Sequence, residues 1–149
     1  MHVEISNVVQ AKFENVAGIY GDYLGWPRLF PTISAVRLID DHGAVKTLEI
    51  QHSEGIVINT LEVRPVSATC QEIHLAEWKR RYDATFVNRF EALATEPGAS
   101  SFSIIGDIRL KGWRVVAAPL ARPYARRLMW HLQLAPVKAA AERSRRLGG

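Results

Sequence analysis

The chain has 149 residues, of which 48% are hydrophobic and 23% are charged. This balance is typical of a folded globular protein and excludes an intrinsically disordered chain. The formal net charge of +4 is unevenly spread, because residues 109–149 hold ten Lys or Arg and a single acid, Glu142. We expect one domain over residues 1–149 whose C-terminal segment is strongly basic.

Several missing signals narrow the class of protein further. Cys70 is the single cysteine, so no internal disulfide can form, and a cytoplasmic location is expected. The first residues alternate like a strand and lack a basic segment followed by an apolar run, which predicts no signal peptide. There is no run of about 18 apolar residues, so no transmembrane segment is expected.

The first part of the chain combines one strand with two short helices. Residues 2–9 alternate between apolar and polar side chains and predict a strand, and residues 12–24 have the spacing of a short amphipathic helix. In the next stretch, "LGWPRLFPTI", Pro27 and Pro31 exclude a continuous helix and a central strand. Pro27 instead fits the first turn of a second short helix, where a missing N–H costs nothing.

The remainder of the chain divides into strands followed by one long helix. From Ser34 onwards, short apolar alternating segments are separated by the turns "DDHG", "SEG" and "TEPGAS", which predicts an antiparallel meander. After Gly112 the helical period returns, and Pro136 should kink this helix. Its predicted inward stripe consists of Leu120, Tyr124, Leu128, Leu132 and Ala135.

The predicted fold class is therefore α+β. A curved antiparallel sheet of about seven strands would wrap on the long C-terminal helix, with two short helices after the first strand. Only this helix is long enough to cover the apolar face of the sheet. A curved sheet that grips a single helix leaves a hollow, which is a candidate ligand site.

This order of elements resembles the helix-grip or START-like superfamily, also called SRPBCC. The chain is most similar to its polyketide cyclase/dehydrase (aromatase/cyclase) group, which often carries a W-P-x-[LF]-x-P-like stretch where this chain has Trp26-Pro27-Arg28-Leu29-Phe30-Pro31. The resemblance covers nearly the whole chain. It implies that the short helices close one end of a cavity, with Trp26 and Phe30 either lining it or forming plain core.

The resemblance also implies a catalytic arginine that faces the cavity from the strand "IVINTLEVRPV". The matching position is Arg64, which would stabilise an enolate while Glu62 or Glu77 moves the proton. Ile58 and Thr60 would share this inward face, because alternate residues of a strand point the same way.

Hydrophobic alternation on the same strand favours the opposite orientation. Val57, Leu61 and Val63 form the more apolar set. If they face the core, Glu62 and Arg64 form an exposed ion pair with no functional meaning.

The next two strands supply further candidate ligand contacts. Asn88 lies between Phe86 and Phe90 on one face, and a buried amide needs a partner such as a ligand, a water or another side chain. On the strand before it, one phase turns Glu77 inward, where a carboxyl group suits proton transfer, and the other phase turns His74 inward. The first phase also brings Ile73 and Leu75 to the cavity face.

Three more positions complete the predicted lining, namely Ile33, Ile104 and Leu128. Ile33 stands where aromatase/cyclases tend to present a tyrosine hydroxyl. This departure removes a proton donor and weighs against aromatase activity.

No metal or cofactor is expected. The five histidines lack metal-ligand spacing, and neither a Gly-rich phosphate loop nor a G-x-S-x-G elbow is present. The basic helix is either a solvated face or a docking surface. The resemblance implies an acidic acyl carrier protein as its partner, an anionic membrane surface is a second possibility, and nucleic acid is not expected.

The resulting hypothesis is a protein that binds a hydrophobic, ketone-bearing small molecule and performs cyclase-, aromatase- or dehydratase-like aldol chemistry. The alternative is a non-catalytic carrier or sensor of a lipid, quinone or aromatic metabolite. A third interpretation, a structural module that acts through its basic helix, predicts a filled core.

Overall fold

The computed structural model describes residues 1–148, which form a seven-stranded antiparallel sheet and a group of helices. The strands are β1 (His2–Val9), β2 (Ile33–His42), β3 (Val45–His52), β4 (Gly55–Ser67), β5 (Cys70–Trp78), β6 (Tyr82–Ala92) and β7 (Ser100–Leu110). The helices are α1 (Phe13–Gly21), α2 (Trp26–Leu29), α3 (Ala118–Met129) and α4 (Ala135–Gly148). Turns of 3₁₀ helix cover Tyr23–Gly25 and Gly112–Ala117, and a π-helical turn covers Trp130–Leu134.

The strand order is β1-β7-β6-β5-β4-β3-β2, and all neighbouring strands run antiparallel. Strands β2 to β7 form the predicted meander, and β1 pairs with β7 at its end. The short helices α1 and α2 connect β1 to β2, which lie at opposite edges of the sheet. The predicted α+β helix-grip fold is confirmed, with the long C-terminal helical segment across the inner face of the sheet.

The proline-containing stretch around Trp26 closes one end of this fold. Pro27 lies in the first turn of α2, as predicted, and the Trp26 indole donates a hydrogen bond of 2.8 Å to the Tyr20 carbonyl. Tyr20 contacts four other aromatic rings, which are Trp26, Phe30, Phe90 and Phe102. Aromatic groups packed edge to face stabilise such a cluster beyond their burial alone, so α1 and α2 are fixed firmly on the sheet.

Residues 118–148 form one helical segment whose middle turn is widened. Pro136 has no N–H to donate to the Leu132 carbonyl, and its ring would clash with that carbonyl in a regular α-helix. The π-helical turn at Trp130–Leu134, which ends two residues before Pro136, relieves this conflict. The widened turn is consistent with the prediction that Pro136 disturbs the helix.

The predicted inward stripe of this segment is wrong in its first half. Leu120 and Tyr124 are exposed, and the buried positions of the segment are Ala125, Met129, Leu134, Val137 and Ala141. The inward stripe of α3 therefore lies one residue later than predicted, which is a rotation of about 100° around a helix of 3.6 residues per turn. Small and unbranched side chains, rather than Leu120 and Tyr124, bring α3 against the sheet.

Candidate functional site

A cavity of about 480 Å³ lies between the sheet and the C-terminal helical segment. The sheet contributes Ile50, Val57, Leu75, Phe86 and Ile108, the closed end contributes Tyr20, Trp26, Phe30 and Ile33, and α3 with its following turn contributes Ala121, Ala125, Leu128, Met129 and Leu132. The cavity reaches solvent beside Trp113 and Tyr124, which line it and are themselves exposed. The fold thus encloses space where a structural module would have a filled core.

Three side chains from the β5–β6 hairpin form a polar cluster in one wall of this cavity. Glu77 is the last inward residue of β5, Lys79 lies in the turn, and Tyr82 begins β6. The Lys79 ammonium donates a hydrogen bond of 2.8 Å to the Tyr82 hydroxyl and lies 3.5 Å from the Glu77 carboxylate. The turn is also held by Lys111, the residue directly after β7, whose ammonium donates a hydrogen bond of 2.9 Å to the Lys79 carbonyl.

Two amide side chains face the same cavity with unused acceptor atoms. Asn59 is 2% exposed and pairs in register with Glu77, to whose carboxylate its amide nitrogen donates at 3.4 Å. The Oδ1 atom of Asn59 and the Oε1 atom of Gln133 are buried and accept no hydrogen bond from residues 1–148. An unpaired buried acceptor costs roughly 1–3 kcal/mol, so a donor supplied by a ligand or a water would stabilise this wall.

The surroundings determine the protonation state of the cluster near neutral pH. Burial, helped by the negative charge of Glu77, raises the pKa of Tyr82, so its hydroxyl keeps its proton. Burial works against the charge on Lys79, but Glu77 and Tyr82 outweigh it and raise the pKa of the ammonium group. Burial and the Lys79 charge lower the pKa of His52, another cavity residue. The wall therefore offers a charged donor and a neutral hydroxyl.

Seven predicted site residues line the cavity. They are Trp26, Phe30, Ile33, Leu75, Glu77, Phe86 and Leu128. The phase of β5 that turns Glu77 inward is the one observed, and His74 instead lies 3.0 Å from Glu72. What these residues bind stays a prediction.

Four other predicted contacts are buried in the core without lining the cavity. They are Ile73, Asn88, Phe90 and Ile104. The aromatic cluster around Tyr20 fills the closed end of the fold, which separates these positions from the open space. The amide nitrogen of Asn88 donates a hydrogen bond of 3.1 Å to the Ile73 carbonyl, whereas its buried Oδ1 accepts no hydrogen bond from residues 1–148.

The prediction that Arg64 faces the cavity is wrong. Val57 and Leu61 are buried on the inner face of β4. The residues that alternate with them, Ile58, Thr60, Glu62 and Arg64, lie on the outer face and point away from the cavity. Arg64 and Glu62 form an ion pair of 2.8 Å, with side chains 53% and 31% exposed. Hydrophobic alternation decided the orientation of this strand, because the inner face has to bury the apolar set.

Sequence reasoning missed several polar residues of the wall. Asn59 lies between Val57 and Leu61 on the apolar face of β4, and a polar residue at such a position was a usable signal. Tyr82, the first residue of β6, shares a face with Ala84 and Phe86 and could have been found by extending that alternation. Lys79 gave no signal, because it lies in the hairpin turn where strand periodicity ends. Gln133 enters the wall from the widened π-helical turn.

The structure gives no indication of a metal site or a membrane-spanning helix. Within residues 1–148, no group of three or more His, Cys, Asp or Glu side chains is arranged to hold a metal ion. In the same part of the chain, every helix is too short or too polar to cross a bilayer.

Comparison with known proteins places the fold. No family model and no curated protein sequence matches the chain. A START superfamily protein from Mycobacterium smegmatis superposes with a TM-score of 0.72 at 15% identity, covering 95% of this chain and 97% of the other. The Zhui aromatase/cyclase from Streptomyces sp. R1128 gives a TM-score of 0.71 at 17% identity and covers 100% and 98%.

A third similar structure is a larger protein. The di-domain ARO/CYC protein StfQ from the steffimycin biosynthetic pathway gives a TM-score of 0.70 at 14% identity, and the match covers 100% of this chain and 53% of StfQ. The chain therefore has the START-like fold that its sequence resemblance predicted. At these identities the likeness is one of fold, and function has to be argued from the site itself.

Proposed function

We propose that the protein binds an apolar small molecule bearing a ketone in its internal cavity and promotes aldol-type cyclisation or dehydration of that molecule. The observation that carries this proposal is the cluster of Glu77, Lys79 and Tyr82 in the wall of a mostly apolar cavity of about 480 Å³. The structural similarity to aromatase/cyclases also supports this proposal.

The cavity suits a ligand that is apolar over most of its surface and polar at one side. Its volume falls within the roughly 300–1,000 Å³ of ordinary small-molecule sites. A ketone oxygen would accept hydrogen bonds from Lys79 and Tyr82, and a hydroxyl or enol group would donate to the unused Oδ1 of Asn59.

The polar cluster has the groups that an aldol reaction requires. Glu77 would take a proton from the carbon next to the ketone, and the Lys79 ammonium and Tyr82 hydroxyl would stabilise the enolate oxygen. The enolate carbon then forms a bond to a second carbonyl carbon of the same molecule. Glu77 returns its proton to the new alkoxide, so the addition needs no cofactor or external oxidant. In a dehydration, Glu77 takes a second proton from the carbon next to the ketone, the C–O bond of the new hydroxyl breaks to form a C=C bond, and the hydroxide leaves as water with that proton.

A non-catalytic carrier is the second candidate, and one specific observation favours it. The carboxylate of Glu77 already contacts Lys79 and Asn59, so it is satisfied without a ligand. A carrier requires the same cavity but no proton transfer. An acyl carrier protein as substrate donor belongs only to the cyclase interpretation.

Binding can be tested by native mass spectrometry of the protein as purified, followed by titration with flavone and anthraquinone as aromatic ketone probes. Ala125→Phe, which fills the cavity from α3, should abolish binding, whereas Arg64→Ala on the outer face should leave binding unchanged. Equal loss of binding in both variants, or none in Ala125→Phe, would place the ligand elsewhere.

Catalysis can be separated from binding with Glu77→Gln. A synthetic 1,5-diketone whose intramolecular cyclisation is followed by absorbance serves as the substrate. A cyclase accelerates this reaction, and Glu77→Gln should retain probe binding but lose at least about 100-fold in rate, the typical contribution of a positioned general base. Binding without acceleration by the native protein would establish the carrier function instead.

A further inference from the structure

The 3₁₀ turn at Gly112–Ala117 and the start of α3 expose an apolar stripe beside the cavity mouth. We propose that this docking stripe, defined as Trp113, Val116, Leu120 and Tyr124, inserts into the surface of an anionic lipid bilayer. The interaction goes beyond the proposed ligand chemistry and does not depend on whether the protein is a cyclase or a carrier.

The side chains of the docking stripe are among the most exposed apolar groups of the protein. Trp113, Val116 and Leu120 are 75%, 83% and 85% exposed, and Tyr124 is 65% exposed. Trp113 and Val116 are three residues apart in the 3₁₀ turn, whose period is three, and Leu120 and Tyr124 are four residues apart in α3, so each pair shares one side of its helix. Contiguous apolar patches of this kind are uncommon on monomeric proteins and mark interaction surfaces.

The fold does not use this stripe for its own packing. Ala125 and Met129 hold α3 against the sheet, and Ala121 faces the cavity one position after Leu120. The segment thus carries two apolar stripes, of which one is buried and one meets solvent. A stripe that is neither core nor polar surface requires another partner.

Charge indicates which partner fits. Arg114, Arg122, Arg126 and Arg127 lie in or beside the stripe's segment, and none of them pairs with a carboxylate among residues 1–148. No acidic residue occurs between Asp107 and Glu142. An apolar face combined with free arginines is the pattern of interfacial membrane helices, and each arginine near an anionic surface contributes about 1 kcal/mol.

The aromatic residues of the docking stripe suit the lipid headgroup region. Tyr and Trp prefer this region because one part of the ring system is apolar and the other is polar. The Arg114 guanidinium lies 5.1 Å from the Trp113 ring centroid, so its charge can stay at the headgroups while the indole inserts.

Two other occupants fit less well. An acidic carrier protein would pair with the arginines but leave Val116 and Leu120 in water. A second copy of this chain would bring the same arginines against each other across a symmetric interface, where like charges repel.

Docking in this orientation would bring the cavity opening to the lipid. Trp113 and Tyr124 belong both to the docking stripe and to the cavity lining. An apolar ligand could then pass between the bilayer and the cavity without crossing open water, where its transfer is unfavourable.

Vesicle flotation tests the proposal with the full chain. The wild-type protein should float with vesicles of phosphatidylcholine and phosphatidylglycerol in equal parts, and not with phosphatidylcholine alone. Val116→Ser with Leu120→Ser removes apolar area at positions outside the cavity lining and should weaken binding at least about tenfold. Arg126→Gln with Arg127→Gln should weaken it about thirtyfold, at about 1 kcal/mol for each arginine.

Matched controls lie elsewhere on the chain. Trp78→Ser removes another exposed tryptophan, which lies in β5. Arg143→Gln removes an exposed arginine that lies about 24 Å beyond Arg127 along the helical segment, at about 1.5 Å per residue. Both should bind vesicles like the wild type.

Three results would overturn the proposal. The first is absence of wild-type binding to the anionic vesicles. The second is full binding by Val116→Ser/Leu120→Ser, which would mean charge attraction without insertion. The third is a protein partner in place of lipid, with no binding to vesicles. That partner would be either a second copy, in a dimer that Val116→Ser/Leu120→Ser dissociates, or an acidic protein domain whose binding depends on the arginines alone.

Discussion

The Lys79 ammonium lies 3.5 Å from the Glu77 carboxylate, and these side chains are only 12% and 14% exposed. The two residues are separated by one position at the end of β5, so both reach the cavity wall from the same side of the chain. Opposite charges held in a mostly dry wall stabilise each other, and the removal of one leaves the other without compensation.

We therefore expect Lys79→Met to destabilise the fold by about 3 kcal/mol, the lower range for breaking a buried ion pair. The double variant Glu77→Leu/Lys79→Met should recover most of that loss, because no charge then remains in the wall. Urea unfolding of the two variants and the native protein measures both free energies. A double variant less stable than Lys79→Met would show that the wall requires the carboxylate for another reason.

Alkaline pH should weaken the fold through the same wall. Burial, with the charge of Glu77 adding to it, raises the pKa values of Tyr20 and Tyr82, and the pKa of Lys79 is raised by its partners. The folded state therefore holds these protons more tightly than the unfolded chain, whose groups titrate near 10.0 and 10.5. Their contribution is complete below pH 10 and is lost as the pH rises through the folded pKa values.

The free energy of unfolding, measured in urea at a series of pH values, should fall steeply above pH 10. Tyr82→Phe removes one of the three groups and should make this fall shallower. An identical slope in Tyr82→Phe would mean that the hydroxyl does not titrate differently in the folded state.

The strand and helix order could be predicted because burial periodicity is a local property of the sequence. The orientation of Arg64 could not be taken from the resemblance, since the apolar set of Val57 and Leu61 outweighed it. A resemblance transfers the path of the backbone more safely than the side on which one polar residue lies, because a strand's phase depends on its own apolar residues.

The candidate site was predictable only in part, since it combines residues that no periodicity connects. Glu77 and Phe86 followed from alternation on their strands, whereas Lys79 enters the wall from a turn. Leu120 was expected in the core because the segment carries two apolar stripes, and only three-dimensional packing decides between them.

Phe86 and Phe90 should respond differently to truncation, although they lie four residues apart on one face of β6. Phe90 is fully buried and stacks on Phe102 with ring centroids 4.7 Å apart, so Phe90→Ala should cost about 3–5 kcal/mol. Phe86 borders the cavity, where truncation enlarges existing space.

We expect Phe86→Ala to be the less destabilising of the two and to change flavone affinity, and thermal unfolding with flavone titration measures both effects. A larger stability loss in Phe86→Ala than in Phe90→Ala would contradict the assignment of Phe90 to the core. It would also indicate that the cavity collapses when its wall is shortened.

Gly106 of β7 provides a last test, because it sits directly behind the cavity wall. A Cβ atom at this position would lie 3.0 Å from Cε1 of Phe86 and 3.4 Å from Cε of Met129. Gly106→Ala should push Phe86 into the cavity, cost about 1–3 kcal/mol as overpacking does, and weaken flavone binding.

Gly18 of α1 is the matched control, since a Cβ there meets nothing within 4 Å. Gly18→Ala should stabilise the fold by about 0.5–1 kcal/mol through helix propensity and leave flavone binding unchanged. If Gly106→Ala lowers the free energy of unfolding while Gly18→Ala raises it, the effect of Gly106→Ala comes from the contact with Phe86. If Gly106→Ala bound flavone as tightly as the native protein, Phe86 would not form part of the binding wall.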